Sequence, residues 1–447
     1  MNSIEEFNSL EKKESYYPRL VEELKRANGE FHAFNLINEG IRAGFPFSAK
    51  DNICVRGFEA TCSSKILKGY VPNFSATAVS RLGSAFGFLG KTNMDEFGFG
   101  TFGINSEEPA RNPFNSDYVT GGSSSGAAAA TALMKYHVAL AVSTGGSISS
   151  PASFCGVVGY TPTYGLVSRY GLIDYGNSLD RIGIIARSAG DVRHTCGLLR
   201  GTDRYDSTCV DHNVASDGKK TLFVINQLNE VLDERIRAPF ESLLGKLENL
   251  GYVVKRVDLD IIGKAVGIYY IISSAEASTN LARYTGFKYG YQYGRFTEYY
   301  NDFFSNARAE FGIEAKRRII LGTFVRSASV RGKYYDKALR ARRLLIDRMK
   351  GLLKDGYIIS PTMPIKTPKI REVRELTPLQ SYATDALTVP PNLCGFPHIS
   401  FPFDYIDGMP IGAQIITDHF NDDAIIGFVE EWERHFKYRF KHNLGAL

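Results

Sequence analysis

Between Val119 and Ser149 the chain reads VTGGSSSGAAAATALMKYHVALAVSTGGSIS, and this stretch decides the fold. A glycine-serine turn, Gly121–Gly126, leads into an alanine-rich segment that reads as a helix opening near Ser125 and running through Met134. An apolar run, His137–Val142, then reads as a buried strand that ends in a second glycine-serine turn, Gly145-Gly146-Ser147. Glycine turn, helix, strand and glycine turn in that order predict an α/β sheet covered by helices. The same pattern recurs on either side. Phe45–Ala49 reads as a strand running into Lys50-Asp51-Asn52, Ala76–Ala85 as a helix, and Phe86–Leu89 as a buried strand ending at Gly90-Lys91-Thr92-Asn93.

Further out, Pro18–Asn28 carries Leu20, Val21 and Leu24 at helical spacing among charges, the mark of a surface helix. Leu222–Asn226, a helix from about Asp233 to Leu250, and Tyr252–Val257 make one more alternating unit. The stretch from Ile262 to Met349 is predicted to be mainly helical. Strands return at Tyr357–Ser360, Ile399–Pro402 and Gly412–Ile416 before an amphipathic helix, Asp422–His435. No repeat, low-complexity tract or linker divides the chain, so the expectation is a single domain over 1–447. It would comprise an N-terminal helical segment (1–43), a catalytic core (44–200), a helical elaboration (262–349) and a return to the sheet (356–447).

The 447 residues include 44% hydrophobic and 23% charged side chains, an ordinary globular balance. A net charge of +5 permits an anionic partner such as RNA without demanding one. Six scattered cysteines without a C-x-x-C pair argue against a zinc ribbon or a thioredoxin-type site and read as reduced, buried thiols. Met1–Glu14 lacks an apolar leader, and no apolar run approaches the roughly 20 residues needed to span a bilayer. The expectation is a cytoplasmic protein without membrane contact.

Both glycine-serine clusters have plain alternatives. They can be simple loops. The missing G-x-x-x-x-G-K-[ST] form argues against a Walker-type phosphate loop. Gly122-Ser-Ser-Ser-Gly126 also satisfies G-x-S-x-G, the nucleophile elbow, with Ser124 as nucleophile. That reading needs a histidine base, which none of His194, His212 or His398 announces, and leaves the second cluster unexplained.

One site that uses both clusters and Lys50 explains more. Residues 44–185 resemble the amidase signature family at Gly44-Phe-Pro-Phe-Ser-Ala-Lys-Asp-Asn-Ile53, Gly90-Lys-Thr-Asn93, Gly121-Gly-Ser-Ser-Ser-Gly126, Thr144-Gly-Gly-Ser-Ile148 and Phe154-Cys-Gly-Val-Val-Gly159. The resemblance implies that family's mixed β-sheet core with helices on both faces. It also implies a Ser–cis-Ser–Lys triad, here Ser147 as nucleophile, Ser123 as proton bridge and Lys50 as base. The chemistry is coherent. A serine hydroxyl needs a base within hydrogen-bond reach. Lysine serves only when burial lowers its pKa from ~10.4 toward neutrality. Backbone N–H groups around Thr144, Gly145 and Gly146, with that of Ser147, would hold the oxyanion.

Beyond residue 185, Tyr269-Tyr-Ile-Ile-Ser-Ser-Ala-Glu-Ala-Ser278, Lys316-Arg-Arg-Ile-Ile-Leu-Gly-Thr323 and Thr388-Val-Pro-Pro-Asn-Leu393 are similar to the branch that hydrolyses glutamine for tRNA-dependent amidotransferases. That similarity implies an ammonia-supplying subunit with B and C partner subunits. ATP and Mg would act on the partner, which binds Glu-tRNA(Gln) mainly through B, and this chain would carry no cofactor or metal. It also implies that Arg318 clamps the glutamine carboxylate, Asp385 pairs with the ammonium and Tyr269 lines the pocket. A stand-alone amidase and a weakly catalytic scaffold remain as other readings. The family's usual Asp before Thr-Gly-Gly-Ser is Ser143 here, and its usual Arg-Gln is Ser149-Ser150. Anchors of the nucleophile loop are therefore expected to differ.

Overall fold

The computed structural model describes residues 3–10, 15–212, 218–292, 299–436 and 440–446. Its centre is an 11-stranded mixed sheet. The strands are β1 (Phe34–Ile37), β2 (Phe45–Lys50), β3 (Phe86–Thr92), β4 (Val138–Ser143), β5 (Val158–Thr161), β6 (Arg181–Ala186), β7 (Thr221–Ile225), β8 (Val253–Val257), β9 (Tyr357–Pro361), β10 (His398–Ile406) and β11 (Met409–Ile416). They lie in the order β1-β3-β2-β4-β6-β5-β10-β11-β9-β7-β8. β2 pairs in parallel with both β3 and β4, and β7 with both β8 and β9; the other pairs are antiparallel.

Side-chain alternation along β4 shows how the layers form. Ala139 and Ala141 pack with Ala127, Ala128, Ile148 and Ala152, from the two short helices that follow the glycine turns. Val138, Leu140 and Val142 join the larger core, which reaches Val192 and Leu199 and extends to the C-terminal helix. Successive residues of a strand face opposite sides, so helices cover both faces. Small side chains let the Ser125–Leu133 helix lie close to its neighbours. A Cβ on Gly126 would come within 2.1 Å of the Ala33 carbonyl oxygen.

The helices Tyr16–Phe31, Glu234–Asn249 and Asp422–His435 lie where the periodicity puts them, within a few residues. The 262–349 stretch contains the helices Ala265–Asn280, Tyr300–Arg308, Ile313–Arg326 and Tyr335–Leu353; its residues 293–298 fall outside the described part. Strands β1, β5 and β6 escape the sequence reading. β5 is four residues long and holds Gly159, where a Cβ would meet that of Ala152 at 2.5 Å, and β6 begins with a buried arginine. All six cysteines are buried and unpaired. Among the described residues no helix is long and apolar enough to cross a membrane.

Candidate active site

β2 is flanked on both sides by parallel neighbours, and all six of its residues are buried. Its last residue, Lys50, therefore ends inside the protein. Lys50 Nζ lies 2.7 Å from Ser123 Oγ, 2.9 Å from Ser124 Oγ and 3.2 Å from the Val142 carbonyl oxygen. Burial pulls its pKa down to about 7, against the opposing pull of the buried carboxylates Asp95 and Asp180. At neutral pH the amine is thus divided between its charged and uncharged forms. When uncharged it has a lone pair that can accept the Ser123 proton.

The Gly122–Ser123 peptide is cis. The Asp95 N–H donates to the Ser123 carbonyl, while the Asp95 carboxylate accepts from the Gly103 and Asn105 N–H groups. The Ser124 N–H donates to the Ser147 carbonyl at 3.1 Å, which joins the two glycine-serine turns. Ser124 is fully buried and its hydroxyl is held by Lys50 and the Val142 carbonyl, so it lacks the exposed position of an elbow nucleophile.

The second turn carries Ser147, which is 7% exposed and faces a small cavity. Gly146 has φ +147°, and a Cβ there would lie 2.3 Å from Thr388 Oγ1. A Cβ on Gly145 would come within 2.5 Å of the Tyr269 ring and hydroxyl. Among the described residues the N–H groups of Gly145, Gly146 and Ser147 donate to no protein acceptor, which leaves them able to bind an oxyanion. Thr144 instead donates its hydroxyl to Asp180 at 2.6 Å, and Asp180 also accepts the Tyr175 and Gly176 N–H groups.

The residues that depart from the family pattern have their own anchors. Ser143 Oγ donates to Asn392 Oδ1 at 2.8 Å, and Arg181, its cross-strand neighbour, donates to the same oxygen at 2.8 Å. Ser150 Oγ donates to the Thr101 carbonyl, whereas the buried Ser149 hydroxyl has no partner among the described residues.

The cavity is lined by Gly122, Gly145, Gly146, Ser147, Tyr175, Tyr269, Tyr270, Arg318 and Asp385, among others. Its free volume of about 20 Å³ holds roughly one water molecule. A larger cleft of about 370 Å³ around Ser63, Glu96 and Gly312 contains neither serine of the pair. Tyr269 donates to or accepts from Tyr175 at 2.8 Å, so its hydroxyl is engaged. Arg318 pairs through Nε with Glu314 at 2.7 Å and stacks 4.5 Å from the Tyr270 ring centroid and 5.0 Å from that of Tyr382. Among the described residues its buried Nη1 has no partner, leaving donor capacity for a carboxylate. Asp385 accepts the Tyr270 hydroxyl at 2.6 Å, and burial raises its pKa to about 6.

Six of the nine residues singled out in the sequence therefore line one cavity: Gly145, Gly146, Ser147, Tyr269, Arg318 and Asp385. Lys50 and Ser123 are bonded to one another next to Gly122, and Thr144 faces Asp180. Sequence reasoning missed Asp95, Asp180, Tyr175 and the Arg181–Asn392 pair. Asp95 lies within Lys91–Phe97, a stretch with no periodic signal of its own. Asp180 and Arg181 are revealed only by the β4–β6 pairing.

The sequence matches the amidase family over residues 21–426. It is 40% identical over 412 residues to the A subunit of a glutamyl-tRNA(Gln) amidotransferase of Clostridium botulinum, spanning 89% of this chain and 84% of that protein. A protein of the same name from Methanosarcina mazei is 42% identical over 436 residues, spanning 95% and 90% respectively. The crystal structure of the A subunit of glutamyl-tRNA(Gln) amidotransferase from Thermotoga maritima superposes with a TM-score of 0.84 at 35% identity, covering 99% of this chain and 97% of that one. With its fold matched end to end and the family's motifs gathered around one cavity, the chain belongs to the amidase family.

Proposed function

We propose that this chain is the glutamine-hydrolysing subunit of a tRNA-dependent amidotransferase, releasing ammonia for the conversion of Glu-tRNA(Gln) to Gln-tRNA(Gln). The observation that carries the reading is the buried Lys50–Ser123 contact beside Ser147, with Arg318 and Asp385 on the same cavity. Glutamine presents a carboxylate, an ammonium and a side-chain amide. Arg318 and Asp385 suit the two charges, and Ser147 suits the amide. A purely hydrophobic amide would offer nothing to the unengaged Nη1 of Arg318 and no cation to the buried Asp385, which disfavours the stand-alone reading.

In the acylation step, Ser147 gives its proton to Ser123 as Ser123 gives its own to uncharged Lys50. Ser147 Oγ then bonds to the amide carbon, and the oxyanion is held by the Gly145, Gly146 and Ser147 N–H groups. Collapse breaks the C–N bond. The proton returns from Lys50 through Ser123 to the leaving nitrogen, releasing ammonia and leaving a γ-glutamyl ester on Ser147. Water deprotonated along the same route attacks this ester, glutamate departs and the Ser147 hydroxyl is restored.

B and C subunits complete the enzyme in this reading. ATP and Mg act on the partner, Glu-tRNA(Gln) is bound mainly through B, and the assembly is cytoplasmic. The test is a reconstituted complex carrying Ser147→Ala. Glutamine-driven transamidation is expected to vanish while ammonium-driven transamidation persists. Retention of the glutamine-driven reaction would refute the assignment.

A further inference from the structure

The Ile313–Arg326 helix has two unlike faces. Inward it carries Arg318, which lines the cavity, with Gly322 packed so tightly that a Cβ would meet the Ser274 carbonyl oxygen at 1.9 Å. Outward it carries Ile313, Ile320 and Phe324, which are 73%, 69% and 52% exposed. At 100° per residue these three fall within about 40° of one another, with Leu321 beside them and Arg318 on the far side. The stripe is about 16 Å long at 1.5 Å per residue. It continues onto the exposed Tyr334, whose ring centroid lies 6.0 Å from that of Phe324. Single exposed apolar side chains are ordinary, but several gathered on one face, with Arg317 between Ile313 and Ile320, mark a contact surface.

The charge around the stripe is equally one-sided. Residues 313–354 hold thirteen Lys and Arg against three Asp and Glu, although the whole chain carries only +5. The rest of the molecule is therefore net negative. Lys333, Lys337 and Arg340 are exposed and form no ion pair among the described residues. A phosphate backbone would suit the charge but not the isoleucines and phenylalanine. An apolar stripe rimmed by cations fits a protein segment that offers aliphatic or aromatic side chains at helical spacing among Asp and Glu.

We propose that the outer face of the Ile313–Arg326 helix, with the basic start of the Tyr335–Leu353 helix, is the docking site for an acidic, amphipathic segment of a partner subunit. Occupancy of this site makes the cavity competent for glutamine. The cavity in the isolated chain has room for about one water, and Arg318 is turned onto Glu314 of its own helix. Substrate entry requires this cavity to widen, and a partner gripping the reverse side of the helix that carries Arg318 can favour the wider arrangement. This inference rests on the reading that the chain works in a complex.

The test uses the full chain and purified partner subunits, with binding followed by calorimetry and glutamine hydrolysis assayed with and without the partners. Ile320→Glu/Phe324→Glu is expected to weaken assembly by at least about 100-fold. Lys337→Glu/Arg340→Glu is expected to weaken it by about tenfold at low salt and less at high salt. Hydrolysis by the isolated variants stays within about twofold of wild type, because neither pair touches the cavity. Assembly lowers KM for glutamine in the wild type, and the double variants need more partner to achieve it. Unchanged affinity in Ile320→Glu/Phe324→Glu would overturn the proposal. So would loss of self-association alone, which assigns the face to a second copy, or loss of tRNA binding alone, which assigns it to nucleic acid. Normal assembly that never hydrolyses glutamine would instead refute the proposed function while leaving the docking site in place.

Discussion

At the scale of single residues the site depends on a lysine made weakly basic by burial and an arginine kept half-satisfied. Arg318 has one nitrogen on Glu314 and another with no partner among the described residues, so its planar fork is only partly used. Arg318→Lys keeps the charge but loses the fork and the stacking on Tyr270 and Tyr382. Steady-state kinetics should show KM for glutamine rising by about 10–100-fold, with a smaller change in kcat. An equal fall in kcat at unchanged KM would remove Arg318 from substrate binding. Lys50, Ser123 and Ser147 could be singled out in the sequence because each stands in a distinctive string. Asp95 and Asp180 could not. Their effect on Lys50 is electrostatic and depends on a folded distance that no spacing encodes.

At the scale of elements, the Ser147 turn follows β4 and is gripped from the start of β6. Asp180 takes the Thr144 hydroxyl, and Arg181 reaches Ser143 through Asn392. Asp180, just before β6, and Arg181, at its head, thus hold Thr144 and Ser143 at the end of β4, and Ser143 keeps a firm anchor without a carboxylate. Gly145 is part of the same economy of space, since Tyr269 occupies the room a side chain would need. Gly145→Ala should displace Tyr269 or the turn and lower kcat by about 100-fold with little loss of thermal stability. A variant with normal kcat would show that the turn tolerates the shift. Long or strongly periodic elements such as β2, β4 and the Asp422–His435 helix were legible in the sequence. β1 and β5, at four residues each, are too short to display a period of two and take shape only through their partners.

At the scale of the whole molecule, burying Lys50 has a cost that pH can expose. Its folded pKa of about 7 lies below the unfolded value of ~10.4, so between these limits the unfolded chain binds more protons. Wild-type stability therefore gains from Lys50 as pH rises from about 7 to 10, whereas below about 7 both states are charged and the contribution is flat at its least favourable. Lys50→Met removes this dependence. Denaturant unfolding at several pH values should show the stability of wild type relative to Lys50→Met increasing by a few kcal/mol across that window. A difference independent of pH would mean that Lys50 is not deprotonated in the folded state. The α/β class was legible because strands, turns and helices alternate, whereas the mixed sheet was implied by the family resemblance. Its 11-strand order was not legible, since it depends on long-range pairings such as β5 with β10.

Whether uncharged Lys50 drives Ser147 onto a carboxamide through Ser123 can be read from the pH dependence of covalent labelling. A glutamine-derived electrophile is added to the enzyme, and peptide mass spectrometry reports both the labelled residue and the rate. The expected result is label on Ser147, a rate rising about tenfold per pH unit to a plateau with a midpoint near 7, and no labelling in Lys50→Met. Label on Ser124, or a rate on Ser147 that does not change between acid and alkaline pH, would contradict it.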